Sequence, residues 1–438
     1  MSTVATVLYY DKRVKYSLNP LIASIDLIKG NDVYLVEDRN VLFRVIDYVS
    51  NKYSKCIVGF SLLTTFLTDS DFLNLILEVN KYAHMKKCIT IVGGPHATGD
   101  PVGCIESLGF DYVFIGEGEE SVREFIESLV DNLDPLSVKG IVFKFDDERI
   151  QYTGFRKPVN LDEYHPFPYW RYLFNPVEIT RGCVYGCKYC QVSYLHGFSM
   201  RHRSVEKIVY YVKLMIDGGI RDIRFISPNS LSYGSSTPGR VNYSSIDELL
   251  SKLYVLASKY GARIFFGTFP SEVRPDYIDD DVLKIIKKYV CNREIIIGAQ
   301  SGSNRLLREI SRKHSVEDVL NAVELIIKHG FKPIVDFIIG LPGETLDDLV
   351  DTLNVIEKLV SQGSRIRLHS FIPLPGTPLG HVKPSEIPEW FKQRVIKYIG
   401  MGKVYGEWIK QEELSRKIIK LREKGIIKPF QFSTLYSQ

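Results

Sequence analysis

Short apolar runs rich in β-branched residues alternate with amphipathic stretches along most of this 438-residue sequence, and that alternation restricts the fold more than any other feature. Val4–Tyr9, Asp32–Glu37, Cys56–Leu62, Cys88–Gly93 and Tyr112–Ile115 are near-continuous apolar runs, the pattern of strands buried on both faces. Between them, Asn40–Val49, Ser70–Tyr82 and Glu119–Leu129 repeat their apolar positions at helical spacing. Strand–helix alternation predicts a parallel α/β sheet, here a Rossmann-like unit over residues 1–135. Gly140–Lys144 and Arg149–Thr153 flank the acidic turn at 146–148 and predict a hairpin. Asn160–Trp170 is dense in proline and aromatic residues, so residues 136–176 read as hairpin and ordered linker.

The alternation resumes at Val177–Thr180. Arg221–Ile226, Ala262–Gly267, Glu294–Ala299, Ile334–Ile339 and Arg365–Phe371 follow as predicted strands, separated by helical stretches such as Ser204–Asp217, Ser244–Lys259 and Val316–His329. Six strands with crossover helices over residues 177–378 suit a partial (β/α)6 barrel of the TIM type, with its site at the strands' C-terminal ends. Residues 379–438 carry twice as many Lys and Arg as Asp and Glu and read as a helical, basic extension. Aromatic residues are sparse among those basic positions, so the extension reads as a solvated face and not as a nucleic-acid surface.

Composition removes several classes. Hydrophobic residues make up 45% and charged residues 25%, the balance of a folded chain with a large core. No stretch reaches the ~20 apolar residues of a membrane helix. The opening MSTVATVLYYDKRV lacks the basic-then-apolar order of a signal peptide, so a cytoplasmic location is expected. A net charge of +4 is too mild to imply a duplex-binding surface.

Three of the seven cysteines fall in Ile179-Thr-Arg-Gly-Cys-Val-Tyr-Gly-Cys-Lys-Tyr-Cys190, just past the first predicted barrel strand. Cys183, Cys187 and Cys190 could hold three irons of a [4Fe–4S] cluster and leave the fourth open. Structural zinc competes with that reading, with His196 or His202 as fourth ligand. Spacing alone leaves both open.

With Tyr189 before the third cysteine, this loop resembles the CxxxCxxC signature of the radical S-adenosylmethionine (SAM) superfamily. The resemblance runs from Val177 to Pro378. Gly298–Ser303 with Arg305–Arg308 is similar to the family's ribose-binding strand, and Val335–Thr345 to its adenine motif. It implies a [4Fe–4S] cluster on the three cysteines, SAM cleaved to a 5′-deoxyadenosyl radical, and a flavodoxin- or ferredoxin-type electron donor. It also implies SAM contacts from Tyr189, Gln300, Ser301, Gly340 and Gly343. Ser227 and Asn229 stand where the family often has a Gly-Gly-Glu stretch and are weaker candidates. Arg203 is a candidate for the SAM carboxylate, and Glu272 and Arg274 for cofactor, substrate or a plain ion pair. Cys291 opens a predicted strand and reads as core.

Val58–Thr65, Thr90–Thr98 and Phe114–Glu120 resemble the cobalamin-binding domain that precedes many such barrels. That likeness implies a corrinoid near Ser61, Thr64, Gly93 and Gly94. The Asp-x-His-x-x-Gly stretch that supplies a cobalt ligand is missing after the first strand, and His96 reads as a hydrogen-bonded loop residue. The implied reaction is cobalamin-dependent methylation of an unactivated carbon on a small-molecule or lipid-like substrate. Cobalamin-independent carbon–carbon bond formation, transfer RNA methylthiolation using Cys56, Cys88 and Cys104, and a zinc-stabilised binding protein are the alternatives. Cys56 and Cys88 open their strands, away from the crevice, which argues for buried structural thiols and against methylthiolation.

Overall fold

The apolar runs become strands because they are short and rich in β-branched residues, and neighbouring strands pair their backbones while both faces are buried. A computed structural model describes residues 3–146 and 149–428. The strands β1 (Val4–Tyr9), β2 (Asn31–Val36), β3 (Lys55–Ser61), β4 (Ile89–Gly93) and β5 (Tyr112–Phe114) form a parallel sheet, extended antiparallel by β6 (Ile141–Lys144) and β7 (Ile150–Tyr152). Strand order is β2-β1-β3-β4-β5-β6-β7, so the chain reverses its direction of travel across the sheet after β2. That switch opens a crevice at the strands' C-terminal ends. The hairpin's tip at 147–148, and residues 429–438 of the expected tail, lie outside the described residues.

Several helices start where a side chain caps them. Asp38 accepts from Val41 N–H ahead of the helix Arg39–Lys52, and Asp69 from Phe72 N–H ahead of Ser70–Met85. One helix escaped the periodicity reading: Lys15–Ile25 contains Pro20 and buries most of its residues, so it shows little polar face.

The second unit is a curved array of parallel strands. β8 (Val177–Glu178) and β9 (Thr180–Arg181) occupy the first position, and β10 (Arg201–His202) pairs antiparallel with β9. Next come β11 (Asp222–Ile223) and β12 (Phe225–Ile226), one strand interrupted at Arg224, then β13 (Arg263–Ile264), β14 (Glu294–Gln300), β15 (Lys332–Ile339) and β16 (Arg365–Ser370). β12 pairs with β8, β11 with β13, and β14 with β15 with β16, all parallel. The tail departs from the helical expectation. Between helices Glu389–Gly400 and Trp408–Glu423 it supplies β17 (Val404–Tyr405), which joins β16 in parallel.

The two units share packing. Asn19 Nδ2 donates to Asn175 Oδ1 at 2.9 Å, and Arg171 Nε to Asp26 at 2.7 Å. Ile418 and Ile427 of the tail are buried in the core of the first unit. Two cysteine readings are corrected. Cys56 and Cys88 form a disulfide with Cα atoms 4.8 Å apart, because β3 and β4 are neighbours and hold the two residues side by side. Cys291, read as core, is exposed: β14 starts at Glu294, where the strand is predicted, and leaves Cys291 in the connection ahead of it.

Candidate active site

The three clustered cysteines stand on the loop 182–200, whose stem is the β9–β10 pair. Gly182 makes the stem possible. It sits at φ +83°, and a Cβ there would drive into the carbonyl of Ser199. Within the loop, Ser193 Oγ donates to Cys183 O at 2.7 Å and Tyr194 Oη to Gly186 O at 3.0 Å. Tyr185 Oη donates to Tyr277 Oη at 2.9 Å, and the guanidinium of Arg274 lies 3.5 Å above the Tyr185 ring. The loop is therefore tied to itself and to the array beneath.

Burial pushes the Cys190 thiol up to about 12, with Cys187 and Cys183 adding their charge. Thiols so raised stay protonated unless a cation draws them into thiolates. Arg312 Nη1 lies 3.8 Å from Cys187 Sγ, and its Nη2 donates to Gly298 O at 2.7 Å. Tyr189 packs on the buried cluster of Leu306, Leu341 and Phe371. His196 and His202 are engaged elsewhere. His196 Nδ1 faces Glu117 at 3.4 Å, while His202 bonds Thr180 at 3.0 Å and the Ser235 carbonyl at 3.1 Å. Among the described residues no three Cys, His, Asp or Glu side chains converge on a single-ion position.

Several buried polar atoms around this loop find no partner among the described residues: Asn229 Nδ2, Arg274 Nη1, Arg312 Nε and His314 Nδ1. Asn229 follows β12, Arg274 follows β13, and Arg312 and His314 follow β14, so three strand ends contribute. His314 Nε2 donates to Ala299 O at 3.1 Å, and burial, then Arg312 and Arg274, hold the ring's pKa down to about 2. A neutral ring that donates through Nε2 keeps Nδ1 as an acceptor. Together these atoms offer three donors, two of them cationic, and one acceptor. A ligand combining a carboxylate with amino or hydroxyl groups satisfies that set.

The remaining sequence candidates divide. Gln300 is nearly buried at the end of β14 with φ +73°. Ser301 Oγ accepts from Ser303 N–H, and Ser227 Oγ from Asn229 N–H, both closing local turns. Gly340 donates to Glu344 at 2.6 Å, and Gly343 O accepts from Arg305 at 2.8 Å. Arg203 is committed to backbone carbonyls of Glu178, Leu161 and Tyr164, which makes it the strut of the linker. Glu272 pairs with Arg367, and Arg274 with Asp276 at 3.0 Å.

Beside the loop lies a mostly apolar cavity of about 280 Å³. Gly93, Gly94, Pro95 and Glu117 of the first unit border it on one side, and Arg181, His196 and Ile226 of the second on the other. Gly94 sits at φ +94°, and a Cβ there would press on Ser61 Oγ at 2.8 Å. Ser61 itself turns to Ser17 at 3.1 Å. Thr64 turns to Nδ1 of His96 at 3.1 Å; His96 is hydrogen-bonded as expected, but it is fully buried in the short helix Pro95–Gly99 and not in a loop. Sequence reading missed Arg181, Arg312, His314 and Glu117, since each acts across a long separation.

Comparison with known proteins gives matches to both halves. A family model described as the radical SAM superfamily matches residues 177–356, and one described as the B12 binding domain matches residues 22–126. A putative methylthiotransferase of Methanocaldococcus jannaschii is 28% identical over 342 residues, covering 76% of this chain and 70% of its own. A tRNA-2-methylthio-N(6)-dimethylallyladenosine synthase of Lachnoclostridium phytofermentans is 32% identical over 187 residues, which is 42% of this chain and 39% of that protein. Among solved structures, the radical SAM methyltransferase TsrM of Kitasatospora setae, with cobalamin and a [4Fe-4S] cluster bound, aligns at TM-score 0.68 and 15% identity, covering 87% of this chain and 77% of that one. The cobalamin-dependent SAM radical enzyme OxsB, with aqua-cobalamin bound, aligns at TM-score 0.65 and 18% identity, covering 98% and 62%. At these identities the structural likeness is one of fold.

Proposed function

The chain joins a B12-binding domain to a radical SAM domain, and on that premise we propose that it is a cobalamin-dependent radical SAM methyltransferase acting on an unactivated carbon. The observation that carries this reading is the cavity shared by the two domains, bordered by Gly93 and Gly94 on one side and by the stem and helix of the cysteine loop on the other. Cys183, Cys187 and Cys190 would hold the cluster's three ligated irons. Asn229, Arg274, Arg312 and His314 offer the partners that SAM's carboxylate, amine and hydroxyls require, with Gln300 and Gly340 at neighbouring strand ends. The crevice beside Gly93 and Gly94 has the apolar walls and the size for a flat ring system, which suits a corrinoid's tail. When bound, these groups supply a 5′-deoxyadenosyl radical and a transferable methyl group.

The chain's own part is placement and exclusion of water. Arg312 keeps a fixed positive charge beside Cys187, and its second amino group is anchored on Gly298. His314 stays neutral and offers an acceptor at pH 7. The Tyr185–Tyr277 bond and the Arg274 stack hold the loop in register with β13 and β14. Reducing equivalents come from a flavodoxin- or ferredoxin-type donor.

Methylthiolation is the second reading, favoured by the M. jannaschii relative. Its auxiliary cluster would need three free thiols in the first domain. Cys56 and Cys88 are joined at the far end of their strands, and Cys104 is fully buried, which weighs against it. Anaerobic reconstitution with iron, sulfide and cobalamin, read by ultraviolet–visible and electron paramagnetic resonance spectra, tests the choice. About four irons and one corrinoid per chain is the expected result, about eight irons would favour methylthiolation, and a cluster without corrinoid would overturn the cobalamin part.

A further inference from the structure

One first-domain side chain grips both arms of the cysteine loop. Glu117 is the cap residue of the helix Gly118–Val130, so its place is set by the first domain. Its carboxylate accepts from Val159 N–H at 2.9 Å and Arg201 Nη1 at 2.9 Å, and Arg201 Nη2 closes a fork on its other oxygen. Arg181 Nη1 lies 3.5 Å away and His196 Nδ1 3.4 Å. Arg181 and Arg201 are register partners in β9 and β10, the stem of the loop, and His196 ends the helix that follows Cys190. A single carboxylate therefore meets the start, the middle and the end of the segment that carries Cys183, Cys187 and Cys190.

The charge state supports a fixed role. Glu117 is 5% exposed, and burial alone would raise its pKa, but His196, Arg201 and Arg181 hold it well below the usual carboxylate range. Arg181 has further partners in Glu119 at 2.7 Å and Glu178 at 2.6 Å. Buried ion networks of this kind add little net stability, but they restrict geometry, because losing one member leaves the others uncompensated. Gln191, next to Cys190, adds a second tie, with Nε2 donating to Pro95 O at 3.3 Å and to Pro375 O at 2.8 Å.

We propose that Glu117 is a positioning residue that fixes, from the first domain, where the cluster-bearing loop stands over the corrinoid crevice. The proposal rests on the cofactor assignment above, and two readouts keep their failures apart. The first is the rate at which an anaerobic ferrous chelator, bathophenanthroline disulfonate, strips iron from the holoprotein, which needs no corrinoid. The second is the relaxation enhancement that the reduced cluster imposes on the Co(II) resonance, which needs both cofactors. Glu117→Gln should load the cluster and corrinoid like the wild type, release iron about fivefold faster, and lose at least about half of the relaxation enhancement. Arg201→Gln, which leaves Glu117 its Val159, Arg181 and His196 contacts, should move both readouts the same way by about twofold, and it decides the matter if Glu117→Gln does not fold. Wild-type iron release together with wild-type relaxation in either folded variant overturns the proposal, as does a lowered thermal midpoint with both readouts unmoved. A wild-type protein that binds the cluster and no corrinoid overturns the cofactor assignment, while iron release still judges Glu117.

Discussion

At the scale of single residues, the proposed function rests on three thiols and one guanidinium beside them. Each cysteine of the loop would supply one iron ligand, so replacing any one leaves a cluster with too few protein ligands to hold its place. Cys183→Ala, Cys187→Ala and Cys190→Ala should each abolish reductive cleavage of SAM, measured as 5′-deoxyadenosine by chromatography. Cys291→Ser, at an exposed position outside the site, should keep wild-type cleavage. Full activity in any loop variant would remove the assignment. Arg312 acts differently from the cysteines: its charge is buried between a thiol and a carbonyl, so its cost is tolerated only if an anionic partner completes the site. Either the cluster's sulfurs or a ligand carboxylate meets that need.

At the scale of elements, the β9–β10 stem decides whether the loop can close. Gly182→Ala places a Cβ against the Ser199 carbonyl at a backbone angle that L residues avoid, for an expected destabilisation of about 2–3 kcal/mol. Iron per reconstituted chain should fall with it, and an alanine variant that loads iron normally would show that the stem is not the constraint. The strands of the first domain were legible because parallel strands buried on both faces are continuous apolar runs. The cysteine loop was legible because its ligands are contiguous. Lys15–Ile25 was not, since a helix buried nearly all round has no polar stripe to reveal its period. β17 is only two residues long, so although Val404 and Tyr405 both favour strands, it is too short for an alternation to show. The candidate site was only half legible: Asn229 and Arg274 stand out in the sequence after predicted strands, whereas Arg312, His314 and Glu117 meet their partners only through the fold. No local pattern carries the Cys56–Cys88 bond either, because it depends on β3 and β4 becoming neighbours.

At the scale of the whole molecule, residues 425–428 of the tail are tied back to the first domain. Lys428 N–H donates to Asp100 at 2.8 Å, Gly103 N–H donates to the same carboxylate at 2.8 Å, and Ser107 Oγ reaches Gly425 O at 2.9 Å. Burial raises the Asp100 pKa to about 7, with the Lys428 and Gly103 N–H bonds opposing it. An unfolded aspartate ionises near pH 4, so between about pH 4 and 7 the folded chain holds a proton that the unfolded chain has lost, and stability falls as pH rises through that interval. Asp100→Asn cannot ionise. Its thermal midpoint relative to wild type should therefore climb from about pH 4 to 7 and level off above, and a difference flat across that interval would contradict the assignment.

Ile418 and Ile427 belong to the core of a domain whose other members begin at Val4. Both lie far along the sequence from every other member of that core, so the core of the first domain stays incomplete until they have been made. Completion of the first sheet therefore does not complete the first domain. A nascent chain of this design has a window, lasting at least as long as the second domain takes to emerge, in which the first domain's core lacks two of its members and is open to a chaperone.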